Sequence, residues 1–226
     1  MTAVRKITPD TYPPEPDDVF SLERQDEFVY HLLVKHMSSK GTFLDVGCAA
    51  PVGANNTYVL EKYFGWDGFA FDIGNVEEDK NWSKFRCTPF YQVDATSDKF
   101  SRLLQDLLDD RVVEYISLDI DMDNTSFALD GLRRIIDAGV TFKSMSLEHE
   151  SFKYGDKIAT PTRKLLRLHG YETLFEDVSF ENGNPWEDWW IKPDLIPIKN
   201  IMDIRKVGAT FNECIEALME FTSYEM

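Results

Sequence analysis

The chain has 226 residues, 43% of them apolar and 13% aromatic, enough to bury one core in a single α/β domain. A formal net charge of −16, with Lys and Arg scattered, argues against nucleic acid or an anionic lipid surface as partner. No stretch approaches the ~18 apolar residues of a membrane span, the first residues lack the apolar core of a secretion signal, and Cys48, Cys87 and Cys214 show no CxxC spacing. The expectation is a cytoplasmic protein with neither a disulfide framework nor a cysteine zinc site.

Four prolines, Pro9, Pro13, Pro14 and Pro16, make residues 1–20 read as an extended arm, with one domain over 21–226. Ser21 is the expected cap of a first helix with Leu22, Val29, Leu32, Leu33 and His36 on one side. TFLDV (42–46) reads as a strand, followed by a glycine turn and a helix capped by Asn55 or Asn56 and stopped at Gly65. GFAFD (68–72) and PFYQV (89–93) are the next strands. Ser97 opens a helix carrying Phe100, Leu103, Leu104, Leu107 and Leu108, and VVEYISLDI (112–120) is a fourth strand. Asn124 is placed to cap a helix with Ala128, Leu132, Ile135 and Ile136, before the strand TFKSMSLE (141–148). Thr160-Pro161 marks the start of a further helix that Gly170 ends. The stretches 171–180 and 188–191 read as a hairpin around the turn ENGNP, and Thr210 with Glu213 forms a capping box for a last helix. This alternation predicts a doubly wound α/β fold: a mainly parallel, seven-stranded, Rossmann-like sheet with an antiparallel edge hairpin.

In such sheets ligands bind beyond the carboxyl ends of the strands, and there the sequence places a series of acids. Asp45, Asp72, Asp94, then Asp119 with Asp121, and Glu148 with Glu150 close or follow the first five strands. Clustered carboxylates repel and lose hydration unless a ligand, a cation or hydrogen bonds compensate, so the series points to a binding site. After the first strand, Gly47 and Gly53 leave room for a ligand near the backbone, but Ala49 and Val52 break the G-x-G-x-x-G spacing of a dinucleotide turn. Asp72 is placed for ribose hydroxyls, and Asp94, followed by Ala95, for the exocyclic amine of adenine.

The set Asp45 with Gly47, Asp72 and Asp94 resembles the S-adenosylmethionine site of class I methyltransferases. FLDVGCAAPVGANNTYVLEKYFGWDGFAFD, YISLDIDMDN, LEHES and the ending EDWWIKPDLI resemble the FkbM-type family over residues 41–196. This likeness implies S-adenosylmethionine as cofactor, held by Asp45, Gly47, Cys48, Gly53, Asn55, Asp72, Ile73, Asp94, Ala95 and Asp119. It implies methylation of a hydroxyl on a small molecule, a glycan or a secondary metabolite. The chain departs from the family's pattern at Ala50-Pro51, at Met122, and in carrying Asp72 where Glu is usual. A catalytically degenerate cofactor-binding or interaction protein is therefore the alternative.

For methyl transfer to an alcohol the enzyme aligns the acceptor and removes a proton. The catalytic candidates are Asp121, His149 and Asp119. Asp121 stands further out along its strand than Asp119, and His149 has a side chain suited to a general base. Asp119, Asp121 and Glu148 could instead hold a divalent cation such as magnesium. Trp186, Trp189 and Trp190 either wall an acceptor pocket or pack the hairpin. Cys48 reads as a small packed residue. The oligomeric state is left open.

Overall fold

The protein is described here from a computed structural model, over residues 20–120 and 126–223. In chain order the elements are α1 (Gln25–Leu32), β1 (Thr42–Val46), α2 (Tyr58–Phe64), β2 (Asp67–Asp72), α3 (Val76–Lys80), α4 (Trp82–Phe85) and β3 (Phe90–Gln92). Then come α5 (Asp98–Leu108), β4 (Val113–Leu118), α6 (Phe127–Asp137), β5 (Phe142–Glu148), α7 (Ser151–Tyr154) and α8 (Ala159–Leu168). The chain ends through β6 (Glu172–Ser179), β7 (Pro185–Ile191), β8 (Lys206–Val207) and α9 (Phe211–Ser223).

Eight strands form one sheet in the order β3-β2-β1-β4-β5-β7-β6-β8, parallel except for β7, which runs against both β5 and β6. The doubly wound sheet and its hairpin are as predicted, with the two-residue β8 added outside the hairpin, too short to leave a periodic signal. Strand alternation sorts the side chains. Phe43, Tyr115 and Trp189 face α1, α2 and α9, while Leu44, Ile116 and Trp190 face α5, α6 and α8. Burial on both faces is why the central strands read as apolar runs rather than as alternating ones. Trp189 and Trp190 are fully buried on opposite faces, Trp189 stacked on Phe28 at 4.5 Å, so these two indoles pack the sheet and do not wall a pocket.

Local chemistry moves several helix starts. Leu22 is 75% exposed and α1 begins only at Gln25, because Asp26 folds back to accept the N–H groups of Phe20 and Ser21 and the Ser21 hydroxyl. Thr57, not Asn55 or Asn56, precedes α2, since Asn55 is engaged in the turn before it. Pro161 falls at the third residue of α8. The Thr210–Glu213 box forms reciprocally, each side chain accepting the other's backbone N–H at 3.2 and 2.8 Å. The expected cap Asn124 and all but the last residue of the expected arm lie outside the described residues.

From β1 the chain winds outward through β2 and β3, then returns to place β4 on the other side of β1. The connections therefore diverge at the carboxyl ends of β1 and β4, which opens a crevice there.

Candidate functional site

Gly47 leaves β1 at φ +85°, and a Cβ on it would sit 1.6 Å from the carbonyl oxygen of Asp119. The glycine is thus demanded by the close approach of the neighbouring β4 end, while its N–H and that of Cys48 donate to the Phe71 carbonyl of β2. Beside this close approach lies a cleft of about 410 Å³. Its carboxylates are Asp72, Asp94 and Asp119, and its apolar walls include Ile73, Val93, Ile120 and Phe127. No Lys, Arg or His is among the described residues that line it.

Asp72 and Asp94 are held by backbone N–H groups of nearby loops. Asp72 accepts the Ala49 N–H on Oδ2 at 3.0 Å and the Gly74 N–H on Oδ1 at 2.7 Å, so its plane is set from both sides. Asp94 takes the N–H and hydroxyl of Thr96 on Oδ1 at 2.8 and 2.7 Å. Ile73, next to Asp72, is 71% exposed at the cleft, an apolar surface that a ligand ring would cover. Of the residues expected to bind a cofactor, the fold gathers Gly47, Asp72, Ile73, Asp94, Ala95 and Asp119 around this cleft.

Asp45, Cys48, Gly53 and Asn55 are placed elsewhere. Asp45 is buried beneath the turn, where its Oδ2 accepts Asn55 Nδ2 at 2.9 Å and the Thr57 hydroxyl at 2.7 Å. Burial raises its pKa, opposed by Arg86 and these hydrogen bonds. Asn55 bonds the turn's own carbonyls, and Gly53 is exposed with nothing near its α-carbon face. Cys48 is buried and its thiol pushed far up by desolvation, the state of a packing residue rather than a nucleophile.

At the next strand ends the register pairs Leu118 with Leu147, which sets Asp119 beside Glu148. Burial, and then the neighbouring Asp119 carboxyl, push Glu148 far above the ordinary carboxylate range. Across the sheet Glu187 lies opposite Glu148, fully desolvated and raised to about 8, with the Trp189 indole and Gln25 amide donating to it. Sequence reasoning passed over Glu187. Its signal was the alternation in WEDWW, which puts Glu187 on the same face as buried Trp189.

His149 does not reach the cleft. It is fully buried; Nδ1 accepts the Ser151 N–H at 3.2 Å, and Nε2 stands 3.3 Å from Asp188 Oδ1. A backbone N–H can only donate, so Nδ1 is bare and the ring's proton sits on Nε2 toward Asp188. With both nitrogens committed, His149 is withdrawn as a base. Asp188 also holds Arg163 through two bonds of 2.8 Å, and Arg163 reaches Asp177 at 2.6 Å. His149, Asp177 and Asp188 are the one group of three metal-type donors found among the described residues, and the Arg163 guanidinium already neutralises its carboxylates. Asp119 and Glu148 make no such group with a third described residue. Asp121, the outermost catalytic candidate and the third expected cation ligand, lies outside the described residues, as does Met122. Trp186, half-buried, stacks on the partly exposed Phe152 at 5.3 Å and is the one indole of the three left near this edge.

No described helix is long and apolar enough to cross a membrane. No protein-family model and no curated protein matches the sequence. Among solved structures the chain is similar to the Dnmt2 methyltransferase of S. pombe, with 16% identity, a TM-score of 0.46, and coverage of 67% of this chain and 48% of that one. The chain thus spans about half the length of that structure, and a likeness so slight says nothing of this chain's activity.

Proposed function

We propose that the chain is an S-adenosylmethionine-dependent methyltransferase that methylates a hydroxyl on a small molecule, glycan or secondary metabolite. One observation carries this reading. Three carboxylates from three successive strand ends line a single apolar-walled cleft at the switch point, with no cation among its described lining residues. Such a site favours a ligand that donates hydroxyl and amine protons and carries positive charge, and it repels a pyrophosphate. A nicotinamide dinucleotide fits poorly for that reason, and the FkbM-type likeness of the sequence points the same way.

When bound, S-adenosylmethionine supplies a methyl group on a positively charged sulfur. Asp72, fixed by two backbone N–H groups, keeps lone pairs for both ribose hydroxyls. Asp94 is the acceptor for the adenine amine, and Ile73, Ile120 and Phe127 are the apolar surface for its ring. Asp119 belongs both to this cleft and to the carboxyl pair with Glu148. These two carboxyls at the edge of the cleft can orient an acceptor hydroxyl and take its proton as the new carbon–oxygen bond forms. Asp121, two residues beyond Asp119, shares that role on sequence grounds. The overall charge of −16 favours an uncharged or cationic acceptor over nucleic acid.

The test is calorimetry with S-adenosylhomocysteine and NAD side by side. Binding of the former alone is expected. Binding of NAD without S-adenosylhomocysteine would overturn the assignment, and cofactor binding without turnover on any hydroxyl library would favour a degenerate binding protein.

A further inference from the structure

Arg86 follows α4 and its side chain is fully buried, though it touches none of the cleft. Nε pairs with Glu61 at 2.6 Å, Nη1 donates to the Asn55 Oδ1 at 3.0 Å and the Pro51 carbonyl at 3.2 Å, and Nη2 donates to the Thr57 hydroxyl at 2.9 Å. The guanidinium also lies 4.7 Å from the centre of the Trp82 ring. A buried cation with this many directed partners fixes all of them.

Its most informative partner is Asn55. With Oδ1 held by Arg86, the Asn55 amide is turned so that Nδ2 donates to the carbonyls of Cys48 at 3.3 Å and Ala50 at 2.9 Å. Between those two carbonyls stands Ala49, at φ +45°, a conformation disfavoured for a residue with a Cβ. Held in that conformation, Ala49 aims its N–H at Asp72 Oδ2. The contacts run without a gap from the Arg86 fork through Asn55 and the Cys48–Ala50 turn to the Asp72 carboxylate. A lysine at 86 would keep the charge beside Glu61 but could not span Asn55, Thr57 and Glu61 together.

We infer that Arg86 is a positioning residue for the cleft: from behind the turn it holds Ala49 in the left-handed conformation that orients Asp72. The inference rests on the reading of the cleft as a cofactor site only where ligand affinity is measured.

The experiment compares wild type, Arg86→Lys, Asn55→Ala and the double variant, with Arg163→Lys as a control in a buried ion network outside the cleft. In the ligand-free protein, Arg86→Lys should speed hydrogen exchange at the Ala49 amide by ~10-fold or more, the signature of a locally loosened turn. Affinity for S-adenosylhomocysteine should fall by ~10-fold, KM for the methyl donor should rise with kcat little changed, and the double variant should add little to either single one. Arg163→Lys should lower Tm while leaving Ala49 exchange and affinity as in wild type. If Arg86→Lys lowers Tm but leaves both at wild-type values, Arg86 is a structural residue only and the inference is overturned. Should wild type not bind S-adenosylhomocysteine, the cofactor reading fails, and the Ala49 exchange rate alone decides the role of Arg86. If Arg86→Lys does not fold, Asn55→Ala decides, because it breaks the same chain one step nearer Asp72.

Discussion

Replacing Asp72 by alanine separates the cleft's binding role from its structural one. In the free protein the substitution strips an acceptor from two backbone donors, Ala49 N–H and Gly74 N–H, at the partly open cleft. Water can replace the carboxylate there, so the loss of stability should stay near ~1 kcal/mol. In the complex two ribose hydroxyls lose a charged acceptor that no water replaces as well. At ~1.5–3 kcal/mol for each hydrogen bond to a charged group, less what water recovers, binding should weaken by ~2–4 kcal/mol. That is roughly 30- to 1,000-fold in Kd, within reach of titration calorimetry with S-adenosylhomocysteine. Circular dichroism on the same sample checks the fold. A folded Asp72→Ala protein with wild-type affinity would remove Asp72 from the ligand site and undo the ribose assignment.

Gly47→Ala should destabilise by ~3 kcal/mol or more, because its Cβ would meet the Asp119 carbonyl at 1.6 Å, whereas Gly53→Ala, with nothing within 4 Å, should shift urea stability by under ~1 kcal/mol. Equal effects of the two would refute the close approach of Gly47 to Asp119. The Glu187 carboxyl is raised from 4.5 to about 8 by burial, so the folded state holds this proton more tightly than the unfolded one. That stability is complete below pH ~4.5 and is lost as pH rises through about 8. The urea midpoint should therefore fall between pH 5 and 8, and Glu187→Gln should flatten the slope. His149→Ala should lower Tm through the loss of its Asp188 and Ser151 bonds while the pH profile of kcat keeps its shape; disappearance of a limb would restore His149 as a base. Asp121→Asn should reduce turnover by ~100-fold with little change in cofactor affinity, and full activity on a confirmed acceptor would remove Asp121 from proton transfer and leave that role to the Asp119–Glu148 pair alone.

Local periodicity in the sequence was sufficient for the order of the longer strands and helices, the two buried faces, the Thr210–Glu213 box and the acids at the strand ends, but not for the short α3, α4, α7 and β8. These are short-range signals: a strand buried on both sides reads as an apolar run, and a cap reads as a residue type at a fixed offset. Asp72, Asp94 and Asp119 were legible for the same reason, since a parallel strand's last residues must fall at the carboxyl edge. What the pattern could not say was which polar side chains at that edge face the cleft and which turn inward. Asp45 and Asp72 both close strands, yet Asp45 points under the turn to Asn55 and Thr57 while Asp72 lines the cleft. Behind the same turn the Arg86 side chain meets Asn55, 31 residues away in sequence, a contact that no local pattern shows. His149 and Glu148 are neighbours in the chain, but the approach of β7 buries one against Asp188 and leaves the other beside Asp119. Burial and ion pairing are properties of contacts between distant segments, so only the folded chain decided them.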